Sequence, residues 1–260
     1  MVIIEGNFDK FQEFGNKPKE KKQNQSYEHC IKAEALRLKN YFFESIEEYK
    51  NALKINKTNV EALKGLGLSY KNINDFRSAI MYLERAKQLS AFDKELYLEL
   101  GIAYIKNNEG TKAIKNLMKA IKIDSEYIEA IYNMGVAHEM ISEFEMAEMI
   151  YTTVIDKRPS FIAAYNSLGN LYVKMCEYFE AIKIFKHLIA LNPEFSRAYL
   201  GIGIAFDKLN KFLDAKRYYK KYLELKPLSG HAEFILDRIR TMKTEKYDLQ
   251  HSHLKLVYSK

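Results

Sequence analysis

Five glycines stand 34 residues apart (Gly67, Gly101, Gly135, Gly169 and Gly203), and each lies inside a stretch whose apolar spacing is helical. A glycine in a helix interior costs about 1 kcal/mol relative to alanine, so a fixed stride of them implies that the fold requires a bare backbone there. One stride before the first stands Ala33. The same interval links Ala79, Ala113, Ala147, Ala181 and Ala215, with Ser45 ahead of them, and it also links Pro159, Pro193 and Pro227. A period this strict over six units predicts a repeat array rather than a fold built on one central core.

Counted from residues 26, 60, 94, 128, 162 and 196, each unit reads as two amphipathic helices separated by a short polar break. Position seven holds Leu66, Leu100, Met134, Leu168 and Ile202, and position twenty-four holds Tyr49, Leu83, Leu117, Tyr151, Phe185 and Tyr219. Position eleven is mostly aromatic, as in Tyr70, Tyr104, Tyr172 and Phe206. Small residues at positions eight and twenty let the paired helices approach, while the large ones fill the space on either side. Proline near the end of a unit stops its second helix. Only 11 glycines and 4 prolines occur in 260 residues, which leaves few hairpin turns and predicts an all-α chain.

The pattern resembles the tetratricopeptide repeat family. Its L-G-x-x-Y, A-x-x-x-F and P elements appear in "SLGNLY", "AIKIF" and "NP" of the fifth unit, and the resemblance spans residues 26–229. It implies a right-handed superhelical solenoid of helix-turn-helix repeats at 26–59, 60–93, 94–127, 128–161, 162–195 and 196–229. Residues 1–25 are then an N-terminal tail and basic linker, with 15–25 expected to be disordered. Residues 230–242 read as a capping helix with Ala232, Ile235, Leu236, Ile239 and Met242 at helical spacing, and 243–260 as a C-terminal tail. Lys32 and His29 break the apolar pattern of the first unit, as a cap with a wet outer side would. In the third, Gly110 replaces the usual loop aromatic.

In this family the first helices line a concave groove through positions two, five, six, nine, twelve and thirteen. Carried over, the groove comprises Leu68, Leu98, Ile102, Tyr132, Asn133, Val136, Asn166, Asn170, Lys174, Leu200 and Ile204. Its middle is apolar, and the asparagines can grip the backbone of an extended peptide by donating and accepting. The lysine-asparagine clamp by which some relatives hold acidic C-termini is absent. Glu61, Glu95, Glu99 and Glu129 disfavour an acidic tail, so an apolar or basic segment is expected. The resemblance thus implies a non-enzymatic scaffold or adaptor for a peptide or helix of another protein. The alternative is a chaperone-like holder of apolar secretion or membrane-protein segments.

Catalytic and metal motifs fail on inspection. His138-Glu139 would need a second histidine at position 142, where Ser142 stands. "GIG" at 201–203 lacks a third glycine and a preceding strand. No phosphate loop and no nucleophile-base pairing is evident, so no cofactor or metal is expected and the chain is not expected to be an enzyme. "HSH" at 251–253 offers two tail histidines at most. Net charge is +7 with both signs interspersed, which fits solvated helix faces better than a nucleic-acid footprint, even where Lys216, Arg217, Lys220 and Lys221 mingle with tyrosines. Two lone cysteines, no long apolar run and no signal-peptide pattern suit the cytoplasm. Phe8, Phe11 and Phe14 lie at three-residue spacing ahead of the linker, and this segment could dock on the array.

Overall fold

The computed structural model describes residues 18–242. Along them run thirteen α-helices in sequential antiparallel pairs, with no strand among the described residues. The first repeat is α1 (Pro18–Leu38) and α2 (Phe42–Ile55), the second α3 (Val60–Asn72) and α4 (Phe76–Leu89), the third α5 (Lys94–Lys106) and α6 (Gly110–Ile123). α7 (Ile128–Met140) and α8 (Phe144–Lys157) belong to the fourth, α9 (Ile162–Lys174) and α10 (Tyr178–Leu191) to the fifth, α11 (Ser196–Lys208) and α12 (Phe212–Leu225) to the sixth. α13 (Ala232–Thr241) follows. The helices form two compact units, α1–α7 and α8–α13.

Local chemistry explains where the helices stop. Between the two helices of each repeat one residue turns left-handed: Asn40, Asn74, Asn108, Ser142, Cys176 and Asn210, with φ between 57° and 64°. The next amide then donates to a carbonyl five residues back, as Asp75 N does to Tyr70 O at 3.0 Å and Glu177 N to Tyr172 O at 2.8 Å. This turn satisfies the last carbonyls of the first helix, and asparagine tolerates it best after glycine. Asn59, Asp75 and Asp93 cap the N-termini of α3, α4 and α5 by accepting from Ala62 N, Ser78 N and Leu96 N. α8, α10 and α12 close on Arg158, Asn192 and Lys226, each directly before one of the periodic prolines.

The periodic glycine faces the second helix of its own repeat. A Cβ on Gly169 would stand 2.6 Å from Phe185 Cε1, and on Gly67 2.6 Å from Leu83 Cγ. Gly101 meets Leu117 at 2.5 Å and Gly203 meets Tyr219 at 2.5 Å in the same way. These partners all occupy position twenty-four and are buried, so the space that a side chain would take is already filled.

Two expectations change. Residues 18–25 are not a disordered linker but the first turns of α1. Pro18 suits the opening of a helix, and the lysines, glutamate and glutamines after it include no breaker before the repeat pattern begins. Gly110 opens α6, where a Cβ would stand 2.6 Å from Ile141 Cγ2, so its bareness lets the end of α7 close in. In α13, Ile235 and the following Met242 are buried against Ala215, Tyr219 and Tyr222, whereas Leu236 is exposed. Arg238 anchors this cap with a two-pronged hydrogen bond to Asp207 at 2.8 and 2.7 Å. The expectations for Phe8, Phe11, Phe14, His251 and His253 lie outside the described residues.

Candidate functional site

Within the first unit α1, α3, α5 and α7 touch in succession, and within the second α9 touches α11. The first helices therefore form an inner layer, against which the second helices pack as an outer one. On the inner layer of the first unit opens a cavity of about 650 Å³. Its wall includes Tyr27, Ile31 and Leu38 from α1, Gly65 and Leu68 from α3, and Glu95 from α5. All six occupy positions two, six, nine or thirteen of their repeats. The floor is built by an unusual reach. Tyr49 comes from α2 to the bare face of Gly65, where any Cβ would run into its ring, and its hydroxyl donates to Glu34 at 2.8 Å.

Charges around this cavity are largely spent within the protein. Arg37 holds Glu34 at 2.8 and 2.5 Å, and Lys64 reaches Asp93 at 2.8 Å and Glu95 at 3.1 Å. Lys71 pairs with Glu99. The hydrogen bond from Arg37 holds the Glu34 carboxyl below its ordinary range, although burial works against it. Burial also opposes ionisation of Asp93, but Lys64 and the Leu96 amide outweigh it and the pKa is lowered. The field that Glu95 and Glu99 would present to an acidic tail is thus weakened by their own lysines, leaving Glu61 as the acid of the cavity wall outside these pairs. What remains open is apolar: Tyr27, Ile31 and Leu38 are 59%, 55% and 69% exposed. Cys30 lies beside them, but burial pushes its thiol up to about 11, so it stays protonated and unreactive at neutral pH.

The other expected groove residues of this unit are placed unevenly. Ile102, Val136 and Tyr132 are half-buried, and Ile102 and Val136 pack on the same apolar cluster that contains Leu98. Leu98 itself is only 8% exposed, little more than Leu100 at 0%, so it offers a partner almost no surface. Met134 is half-buried like its neighbours. Asn133 donates to Glu129 O at 2.7 Å, which occupies part of its amide within its own helix.

In the second unit, Asn170 and Lys174 are exposed on α9, with the Lys174 ammonium 5.6 Å from the Phe144 ring centre. Asn166, one turn before Asn170, has its Oδ1 buried without a hydrogen-bond donor. Leu200 and Ile204 are half-buried on α11 and pack on the cluster of Ala215, Tyr219 and Tyr222.

Sequence reasoning missed Tyr27, Ile31 and Leu38 because the first repeat was read as a cap. The signal was available: a cap should not carry three large apolar residues at positions two, six and thirteen. Lys32 and His29, which prompted that reading, turn to the outer helix instead and clasp Glu48 at 2.5 and 2.6 Å. His138 is half-buried, and no group of three or more potential metal ligands occurs among the described residues. No described helix is long and apolar enough to cross a membrane.

The family profile described as "Tetratricopeptide repeat" matches residues 60–93, 162–195 and 196–227, and one described as "TPR repeat" matches residues 101–141. No curated protein matches the sequence. Among solved structures, a crystal structure of MamA is 32% identical over 64% of this chain and 96% of its own, with a TM-score of 0.58. PilW, described as a widely conserved type IV pilus biogenesis factor, is 17% identical over 81% of this chain and 98% of its own, with a TM-score of 0.73. YrrB, described as having an unusual peptide-binding site, is 15% identical over 73% of this chain and 97% of its own, with a TM-score of 0.55. The last two likenesses concern the fold alone.

Proposed function

Because the chain belongs to the tetratricopeptide repeat family, we propose that it is a non-catalytic scaffold whose inner helix layer holds a peptide or helix of another protein. The observation that carries this reading is the first-unit cavity, lined by inner-layer positions and left apolar after Arg37, Lys64 and Lys71 have been paired internally. An exposed apolar surface of this kind is the usual mark of an interaction site. Ile102 and Val136 extend it along the same unit. In the second unit the exposed Asn170 amide can donate to and accept from a partner's backbone. Asn166, Asn170, Lys174, Leu200 and Ile204 then make a more polar contact. The preferred segment is apolar or basic rather than an acidic C-terminus, and two unpaired cysteines suit action in the cytoplasm.

Capture from native lysate with identification by mass spectrometry tests this reading. Ile31→Asp and Ile102→Asp should each abolish capture while circular dichroism stays native. Met118→Asp, on the outer helix α6, should leave capture intact. One defined partner supports the scaffold; many unfolded clients would support a holder of apolar segments instead. Capture that survives both inner-layer charges refutes the site.

A further inference from the structure

A second cleft lies on the outer side of the second unit, between α10 and α12. It encloses about 490 Å³. One wall is aromatic: Tyr218 stacks on Phe206 with ring centres 5.6 Å apart, and Tyr199 stands 6.4 Å from Tyr218. Tyr199 is fixed there by donating its hydroxyl to Pro193 O at 2.9 Å. The rim is mainly cationic, with Lys186, Arg217 and Lys221 beside one carboxylate, Glu224. Lys221 is paired with Glu224 at 2.9 Å, but no carboxylate pairs with Lys186 or Arg217 among the described residues.

The repeat supplies an internal control. The corresponding cleft of the first unit, between α4 and α6, encloses about 330 Å³ and carries Glu84 at position twenty-five, where the second unit has Lys186. Glu84 accepts from the Tyr104 hydroxyl at 2.9 Å and pairs with Lys87, which in turn reaches Asn116 at 3.5 Å. That cleft therefore contains its own carboxylate, satisfied on several sides. In the second unit position twenty-five carries a further cation, the cleft's carboxylate is Glu224, held by Lys221, and Ile189 and Phe206 replace Lys87 and Tyr104. The place of an acid is kept by positive charge, while the wall beside it has become apolar.

We infer that this outer cleft binds an acidic segment of a partner protein, a carboxylate against Lys186 and Arg217 with an adjacent apolar side chain on Tyr199 and Tyr218. This site is separate from the inner layer and opposite to it in preferred charge. The two faces would let the array hold two different segments.

The test is fluorescence anisotropy of the full chain with a labelled glutamate-rich peptide containing one leucine. Saturable binding that weakens with salt is expected. Lys186→Glu, which rebuilds the first unit's arrangement, should weaken it roughly tenfold or more, in line with the large effects of charge reversal at paired sites. Tyr218→Ala should weaken it even if Lys186→Glu alters the local packing. Lys115→Glu on α6 should change nothing. Absence of saturable binding, or equal losses from Lys115→Glu and Lys186→Glu, overturns the proposal. So does tighter, Lys186-dependent binding of phosphatidylserine vesicles or of a single-stranded oligonucleotide.

Discussion

At the junction between the third and fourth repeats, position twenty-four holds Leu117 and position six of the next repeat holds Asn133; between the fifth and sixth it holds Phe185, followed by Gly201. The Phe185 ring is fully buried, and its opposite edges meet bare backbone, Gly169 on its own repeat and Gly201 on the next. Tyr49 stands in the same relation to Gly65 at the start of the array. Position eight is glycine in every repeat but the first, which has Ala33, whereas position six is glycine only after Tyr49 and Phe185, with Ser167 after the equally buried Tyr151. Leucine needs only one cleared side, so the inner-layer position after it can carry a functional side chain such as Asn133 or Glu99.

The largest expected effect comes from breaking the second of these junctions. Gly201→Val should destabilise the protein by about 3 kcal/mol, because the ring it meets has no room to move. Gly169→Leu should cost about 1–3 kcal/mol for the same reason on the other edge. Converting one junction into the other is the sharper experiment. Gly201→Asn alone should be poorly tolerated, but combined with Phe185→Leu it rebuilds the Leu117–Asn133 pairing. Urea unfolding should then show a coupling of about 1 kcal/mol or more between the two changes. Strict additivity would mean that ring size does not govern position six.

A smaller effect separates the turns. The first unit uses asparagine for each of its left-handed residues, Asn40, Asn74 and Asn108, while Cys176 takes the same conformation in the second. A residue other than glycine or asparagine there carries a backbone cost of about 1–2 kcal/mol, part of which asparagine recovers. Cys176→Asn should therefore raise stability by about 0.5–1 kcal/mol, seen as a higher melting temperature. An unchanged or lower value would show that the Cys176 side chain makes contacts worth as much as the strain.

Much of this was legible in the residues. The glycine period fixed the helix pairs, the face that Gly169 turns to Phe185, and the proline-terminated second helices, since these depend on spacing alone. The six left-handed residues obey the same period but were overlooked because their identities vary from asparagine to serine and cysteine. Gly65 and Gly201 fall outside the 34-residue stride, and each meets a ring of the preceding repeat that no single-helix pattern reveals. At the candidate site, sequence placed Ile102 on the right helix but could not foresee that Leu98 would be covered, nor that Lys64 and Lys71 would bind Asp93, Glu95 and Glu99 across repeats. Such pairings depend on where side chains of separate helices converge, which no single helix pattern encodes.

These cross-repeat ion pairs give the smallest effect and the clearest signature in pH. The inner layer of the first unit is pinned by Lys64 to Asp93 and Glu95, whereas the second unit presents Asn166 and Asn170, which do not titrate. Asp93 has a folded-state pKa below its ordinary value, so its contribution to stability is present above the unfolded carboxylate pKa of about 4 and is lost as the pH falls through the folded value. Lys64 is shifted the other way, upward: burial opposes its charge but the two carboxylates outweigh it. Its share persists through neutral pH and is lost only as pH rises through its folded pKa. The pair is about three-quarters buried on each side, and the contribution of such a partly screened interaction is of order 1 kcal/mol or less. Lys64→Met should therefore be less stable than the parent near neutral pH, and the gap should close as the solution is acidified below about pH 4. Asn166→Met in the second unit should show a difference that acid does not alter. If the Lys64→Met gap is independent of pH, lost packing of the lysine stem rather than the ion pair accounts for it, and the electrostatic distinction between the two inner layers falls.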